Sequence, residues 1–160
     1  MRLTIHAAGR LKAGPEQELC ERYLDRLRKA GPAVGIEFSG VSEVAESRLP
    51  NPEGRKREEA RLLEAALPAK AVLVLLDERG KPLSTRQFAD KLSHYRGQGA
   101  RDMVIAIGGP DGLDPELAAK AALVVAFGAM TWPHQLIRVL LAEQLYRVVT
   151  LLSGHPYHRD

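Results

Sequence analysis

The chain ends in SGHPYHRD, which gathers His155, Tyr157, His158 and Arg159 into its last six residues. His155 and His158 titrate near neutrality and can take or pass on a proton. Tyr157 offers a hydroxyl and an aromatic face, and Arg159 a planar fork that matches phosphate or carboxylate. A nucleobase can stack on Tyr157 while Arg159 grips the backbone beside it, so the set suits RNA-facing chemistry. As a metal site it is poor, because only Asp160 joins the two histidines, and no metal is expected. Cys20, the one cysteine, has nothing near it in sequence to activate a thiolate and reads as a small helix hydrophobe.

Three further stretches carry unusual residues: LLDERGKPLS from Leu75, IGGPDGLDP from Ile107, and AFGAMTWPH from Ala126. Each follows an apolar run of strand length, and ligands of open α/β sheets sit beyond the carboxyl ends of such strands. The middle stretch is neither GxGxxG nor GxxxxGK[ST], and Pro110 removes a donor from its centre, so a phosphate cradle is disfavoured. A glycine-lined turn instead lets a flat, uncharged ring approach the backbone closely. In MTWPHQ, Thr131 reads as a helix cap and Pro133 as a first-turn residue.

The elements that must position these groups alternate. RLTIHAA (2–8) predicts a first strand, and 15–29 a helix with Leu19, Tyr23, Leu24 and Leu27 on one side. AVGIEFSGV (33–41) predicts a second strand, and 50–67 a helix that Pro68 ends. Residues 71–76, 103–107 and 121–128 are apolar enough for strands covered on both faces. Between the first two lies a helix capped by Ser84. The stretch 40–58, rich in Ser, Pro, Gly and charge, reads as a mobile loop. Arg55-Lys56-Arg57, followed by Glu58 and Glu59, reads as a solvated face with i,i+4 ion pairs, with RNA phosphate contact as the alternative.

The final helix, 133–152, carries Leu136, Ile137, Val139, Leu140, Leu141, Leu145, Val148, Val149, Leu151 and Leu152 around nearly its whole circumference. A helix apolar all round must be buried all round. One sheet covers one side, so a second copy of the chain is expected on the other, as a two-fold homodimer. Strand–helix alternation with doubly buried strands predicts an α/β fold with a mostly parallel sheet.

With 160 residues, 45% apolar and 27% charged, the chain fits one globular domain. A formal charge of +3 permits a nucleic-acid partner without requiring one. No segment approaches the roughly 20 apolar residues of a membrane span, and the polar start excludes a signal peptide. A cytoplasmic protein with no membrane partner is expected.

In order and spacing, LLDERGK…S, IGGPDG, MTWPHQLIRVLLAEQLYR and GHPYHR resemble the bacterial RlmH family of large-subunit rRNA methyltransferases, within the SPOUT superfamily. The resemblance spans essentially the whole chain, densest from Leu76 onward and weak over 30–60. It implies that residues 1–160 form a single SPOUT methyltransferase domain, an α/β fold with helices flanking a mostly parallel sheet and a deep C-terminal trefoil knot. It implies S-adenosyl-L-methionine as cofactor, contacted by Leu76, Gly108 and the run Phe127, Gly128, Ala129, Met130, Thr131 and Trp132. Gly128 stands where relatives often carry serine, and Trp132 where leucine or phenylalanine is common.

The implied reaction is methylation of N3 of a pseudouridine in helix 69 of 23S rRNA. The implied assembly is a homodimer whose tail reaches the other subunit's pocket. In that chemistry His155 or His158 is expected to take the N3 proton and Tyr157 to stack on or orient the base. Arg159 and Arg138 are expected to hold phosphate or negative charge. A chain of this size has little surface for reading sequence, so the shape of the assembled ribosome is the expected target.

Overall fold

The computed structural model describes residues 1–157. Five strands form one sheet: β1 (Arg2–Ala8), β2 (Glu37–Val44), β3 (Val72–Pro82), β4 (Asp102–Ile107) and β5 (Leu123–Ala126). The helices are α1 (Pro15–Ala30), α2 (Pro52–Ala66), α3 (Thr85–Gly97), α4 (Pro115–Lys120) and α5 (His134–Leu152), with a 3-10 turn at Gly31–Val34. The strands lie in the order β2-β1-β4-β3-β5. All four pairings are parallel, as the α/β reading expects.

Parallel pairing buries both faces of the central strands, and their side chains alternate between two cores. From β4, Met103, Ile105 and Ile107 point into a core shared with α1, α3 and α5. Val104 and Ala106 point the other way, into a core shared with α2 and α4. β3 divides likewise, with Val74 and Leu76 in the first core and Leu73 and Leu75 in the second. This is why 71–76 and 103–107 read as unbroken apolar runs.

α1 starts at Pro15, where the missing N–H costs nothing. It buries Cys20, Leu24 and Leu27, whereas Leu19, expected on the buried side, is exposed. Cys20 sits in the core, where burial pushes its thiol up to about 11, as befits an inert cysteine. Ser84 caps α3 as expected, in a full capping box: its hydroxyl accepts from the Gln87 N–H at 3.2 Å, and Gln87 Oε1 accepts from the Ser84 N–H at 2.9 Å.

Three expectations need correction. The stretch 40–58 is not a continuous loop, since β2 runs to Val44 and α2 begins at Pro52 behind an Asn51 cap. β3 extends past the expected end at 76 to Pro82, with its register broken between Leu76 and Lys81. α4 stands between the glycine loop and the fifth strand, where no helix is expected; Asp114 caps it by accepting from the N–H groups of Glu116 and Leu117.

α5 is covered more fully by its own chain than the sheet-on-one-side argument allowed, because α1 and α3 both pack against it. Leu141, Leu145 and Val148 are fully buried, and Leu136 is the large apolar residue of α5 left exposed. Among the described residues, no helix is long and apolar enough to cross a membrane.

The buried face of α5 also carries a charge. Arg138, 4% exposed, donates to the Glu43 carboxylate and to the Gly9 carbonyl, so it ties α5 to the ends of β2 and β1. Burial disfavours the charged form of Glu43, but the Leu11 N–H and the Arg138 guanidinium outweigh it and hold the carboxyl below its usual range. Arg138 is buried, but the Glu43 side chain keeps 31% of its exposure, so losing the guanidinium does not strand a fully buried carboxylate. Arg138→Met leaves the buried Gly9 carbonyl contact unmade and should destabilise the fold by roughly 1–3 kcal/mol, measured by urea unfolding; a loss below about 0.5 kcal/mol, the size of an ordinary surface change, would show the pair to be idle.

His6 lies buried on β1, and burial lowers its pKa from the usual 6.5. Below that value the unfolded chain binds a proton that the folded chain refuses, so acid favours unfolding. Unfolding free energy should hold steady above pH 7 and fall as pH drops through 6 to 5, with a shallower slope in His6→Val. A flat wild-type profile over that range would contradict this.

Candidate functional site

The carboxyl ends of β4, β3 and β5 lie side by side, and the loops leaving them enclose a cleft of about 590 Å³. The three stretches singled out in the sequence thus meet at one place. Leu76, Gly108, Phe127, Gly128, Met130, Thr131 and Trp132 all line the cleft; Ala129 lies in the same loop but is not part of the wall.

The first wall is the break in β3. Val125 pairs with Leu76 and again with Lys81, so Asp77–Gly80 bulge out over the cleft. Asp77 is fixed by Arg79, whose guanidinium bonds both its oxygens at 3.0 Å; that contact, against the opposing cost of burial, holds the carboxyl below its usual range.

A second wall is the loop from β5 to α5. Gly128 sits at φ +103°, a backbone conformation open to glycine and strained for any residue with a side chain. The Trp132 indole N–H donates to the Phe127 carbonyl at 3.1 Å, closing the loop on itself. The Thr131 hydroxyl donates to Glu78 at 3.1 Å and so joins this loop to the β3 bulge, rather than capping α5 as expected. Met130 is 73% exposed and Trp132 41%. Large apolar groups held open at a concave site suit a flat ligand better than water.

His134, which the sequence reading did not single out, opens α5 at the back of the cleft. Its Nε2 is buried without a hydrogen-bond partner. Burial first, then the Arg138 charge, lowers its pKa, so it stands neutral near pH 7. The cleft therefore combines a neutral ring with an orphaned nitrogen, exposed apolar side chains and carboxylates already tied to neighbours. That donor set fits a ligand with a flat ring and a positive centre and offers no dedicated phosphate cradle.

The tail lies elsewhere. His155 continues from α5, its N–H donating to Thr150 O at 2.9 Å. Tyr157 folds back along the helix, its hydroxyl donating to Glu143 at 3.1 Å, its ring 4.8 Å from Tyr146 and 4.9 Å from the Arg147 guanidinium. Burial, with the neighbouring Tyr23 and Glu143, raises the Tyr157 pKa and keeps the phenol protonated. The Tyr157 N–H donates to His155 Nδ1 at 3.2 Å. His158 and Arg159 lie outside the described residues.

At about 1.5 Å per residue, the 13 positions from Ile137 at the cleft to Thr150 at the tail span roughly 20 Å. Among the described residues, none of the tail lines the cleft. Arg138 is also not where a phosphate-gripping role would place it, because it faces inward to Glu43 and Gly9.

Within the basic run, Arg55 is neither part of an i,i+4 pair nor a free cation. Arg55 bonds Asp111, and Glu59 is buried against the glycine loop. Only their one-turn spacing on α2 was visible in sequence. Among the described residues no group of three or more potential metal ligands occurs.

Comparison with known proteins agrees with this geometry. The family described as "Predicted SPOUT methyltransferase" matches residues 1–158. Proteins called "Ribosomal RNA large subunit methyltransferase H" are similar over 159 residues, 99% of both chains: 63% identical in Rhizobium meliloti, 62% in Sinorhizobium medicae and 60% in Rhizobium rhizogenes. A solved structure, a "Probable Methyltransferase from Bordetella pertussis Tohama I", superposes with a TM-score of 0.54 at 18% identity, covering 92% of this chain and 95% of that one, and so shares the fold. The loops that build the cleft lie wholly within the matched span, and the chain belongs to the SPOUT methyltransferase family.

Proposed function

We propose that this methyltransferase uses S-adenosyl-L-methionine to methylate N3 of a pseudouridine in helix 69 of 23S rRNA on the assembled ribosome, working as a cytoplasmic homodimer. The observation that carries the reading is the cleft itself: three loops from adjacent parallel strands, lined by exposed Met130 and Trp132, the orphaned His134 nitrogen and no phosphate cradle. The full-length relatives named as large-subunit rRNA methyltransferases support the substrate class.

In this reading Leu76, Gly108 and the loop from Phe127 to Trp132 hold the cofactor. Bound there, the sulfonium supplies an electrophilic methyl group. The chain supplies placement, which can contribute several kcal/mol when acceptor and donor are aligned. The N3 proton must leave, and a positioned base is worth about 10²–10⁴-fold.

The Tyr157 N–H on His155 Nδ1 puts the proton of neutral His155 on Nε2, which leaves it no free lone pair. The base role therefore falls to His158, while Tyr157 stacks on or orients the base and Arg159 holds phosphate. Because about 20 Å separates tail and cleft along α5, the tail of a second copy completes each site. The whole chain acts as one domain, and the trefoil knot belongs to the same proposal.

Unmethylated ribosomes incubated with methyl-labelled cofactor should gain label at that one nucleotide. Ribosome binding without label transfer would leave a non-catalytic factor instead. His158→Ala should lower kcat at least tenfold at saturating cofactor, within the usual range for a lost base, and His155→Ala should cost less. The reverse order would overturn the assignment of the base.

A further inference from the structure

The glycine loop that floors the cleft, Gly108–Leu113, holds itself together by little. It makes a single cross-turn pair, with the Gly112 N–H donating to Gly109 O at 3.0 Å, and Pro110 has no N–H to give. Beyond a hydrogen bond between the His134 ring and the Gly108 backbone, what fixes it comes from α2. The Arg55 Nε donates to Asp111 Oδ2 at 2.6 Å and an Nη to Oδ1 at 2.9 Å, a two-bond fork with both side chains about three-quarters shielded. One turn later, Glu59 Oε2 accepts the Gly109 N–H at 3.2 Å.

The same two side chains also hold a second loop, the 45–51 link between β2 and α2. The remaining Arg55 Nη donates to Leu49 O at 2.9 Å, and Glu59 Oε1 accepts the Ser47 N–H at 3.1 Å. Each residue therefore bridges both loops, and each does so with separate atoms. The fit around Glu59 is close: a Cβ at Gly109 would lie 2.7 Å from its carboxylate, so a side chain there would push the carboxylate from its present place.

We propose that Arg55 and Glu59 are positioning residues: spaced i,i+4 on α2, they fuse the 45–51 loop to the glycine loop and thereby set the opening of the methyl-donor cleft. Surface ion pairs usually contribute little. This pair differs because it is bidentate, shielded and backed by a buried carboxylate on backbone N–H groups. Lys56, between them in sequence, lines the cleft, so a shift of α2 moves cleft wall and floor together. A loop held in its bound shape before the ligand arrives spares the ordering cost at binding.

The cofactor half of this inference rests on the proposed function; the loop half does not. The test compares wild type with Arg55→Ala and Glu59→Gln. The glutamine keeps the size but turns an amide N–H₂ toward one of the two N–H donors. Hydrogen exchange without ligand should speed up in 108–113 and 45–51 together, with the melting temperature nearly unchanged. Calorimetry with S-adenosyl-L-methionine should show Kd about tenfold weaker, since the loop must now be ordered on binding. On ribosomes, KM for the cofactor should rise with kcat within about twofold, because no reacting atom is touched.

Arg55→Lys, which keeps the charge without the fork, should recover part of the loss. Unchanged exchange in both loops, or faster exchange with unaltered Kd, overturns the proposal. Should wild type bind no S-adenosyl-L-methionine while both loops still loosen together, the fusion of the loops stands and the cofactor assignment falls.

Discussion

Parallel strand pairing is the constraint on which the rest of this molecule depends. A parallel neighbour requires the chain to be carried back across the sheet each time, so every strand ends on the same edge. With β4, β3 and β5 adjacent, three consecutive loops are delivered to one place without any long-range recognition between them. The same pairing buries both faces of β3 and β4, so the edge that carries the chemistry is anchored on residues such as Val74, Leu75 and Ile105, each 0% exposed. The loops can then be irregular, exposed and glycine-rich, because strands rather than loops fix their ends.

Charge is used inside this structure as a set of ties between elements that apolar packing alone would let slide. Arg138 joins α5 to the ends of β1 and β2, and Arg55 and Glu59 join α2 to two loops at the same edge. Replacing a whole shielded ion pair by apolar groups is often neutral for stability, whereas removing one partner is costly. Here both sets sit at the carboxyl edge of the sheet, where a displacement of an ångström alters the cleft. The apolar core supplies the stability, and the ties supply the shape of the site.

The tail adds a second scale. Tyr157 is held along α5 by Glu143, Arg147 and Tyr146, so its position is fixed by the far end of the helix whose first turn backs the cleft. A rigid helix keeps its two ends apart as firmly as it keeps them related. In the proposed function, chemistry that needs both is shared between copies, and α5 sets the distance at which they share it.

The sequence by itself determined the five strands, the four longer helices and the three loops, though not the short α4, since apolar runs, Ser84 and the glycine turns announce themselves locally. It also marked the cleft residues from Leu76 to Trp132 and the tail, because their types are unusual wherever they fall. Other features depended on which strand lay beside which. Arg138 looked like a free cation until Glu43 and Gly9 were brought beneath it from 95 and 129 residues away. Arg55-Lys56-Arg57 looked like a solvated face until Asp111 arrived from 56 residues along the chain. α5 looked in need of outside cover until α1 and α3 flanked it. Local pattern reports what a segment prefers, and the role of a polar side chain is set by the partner that the folded sheet places against it.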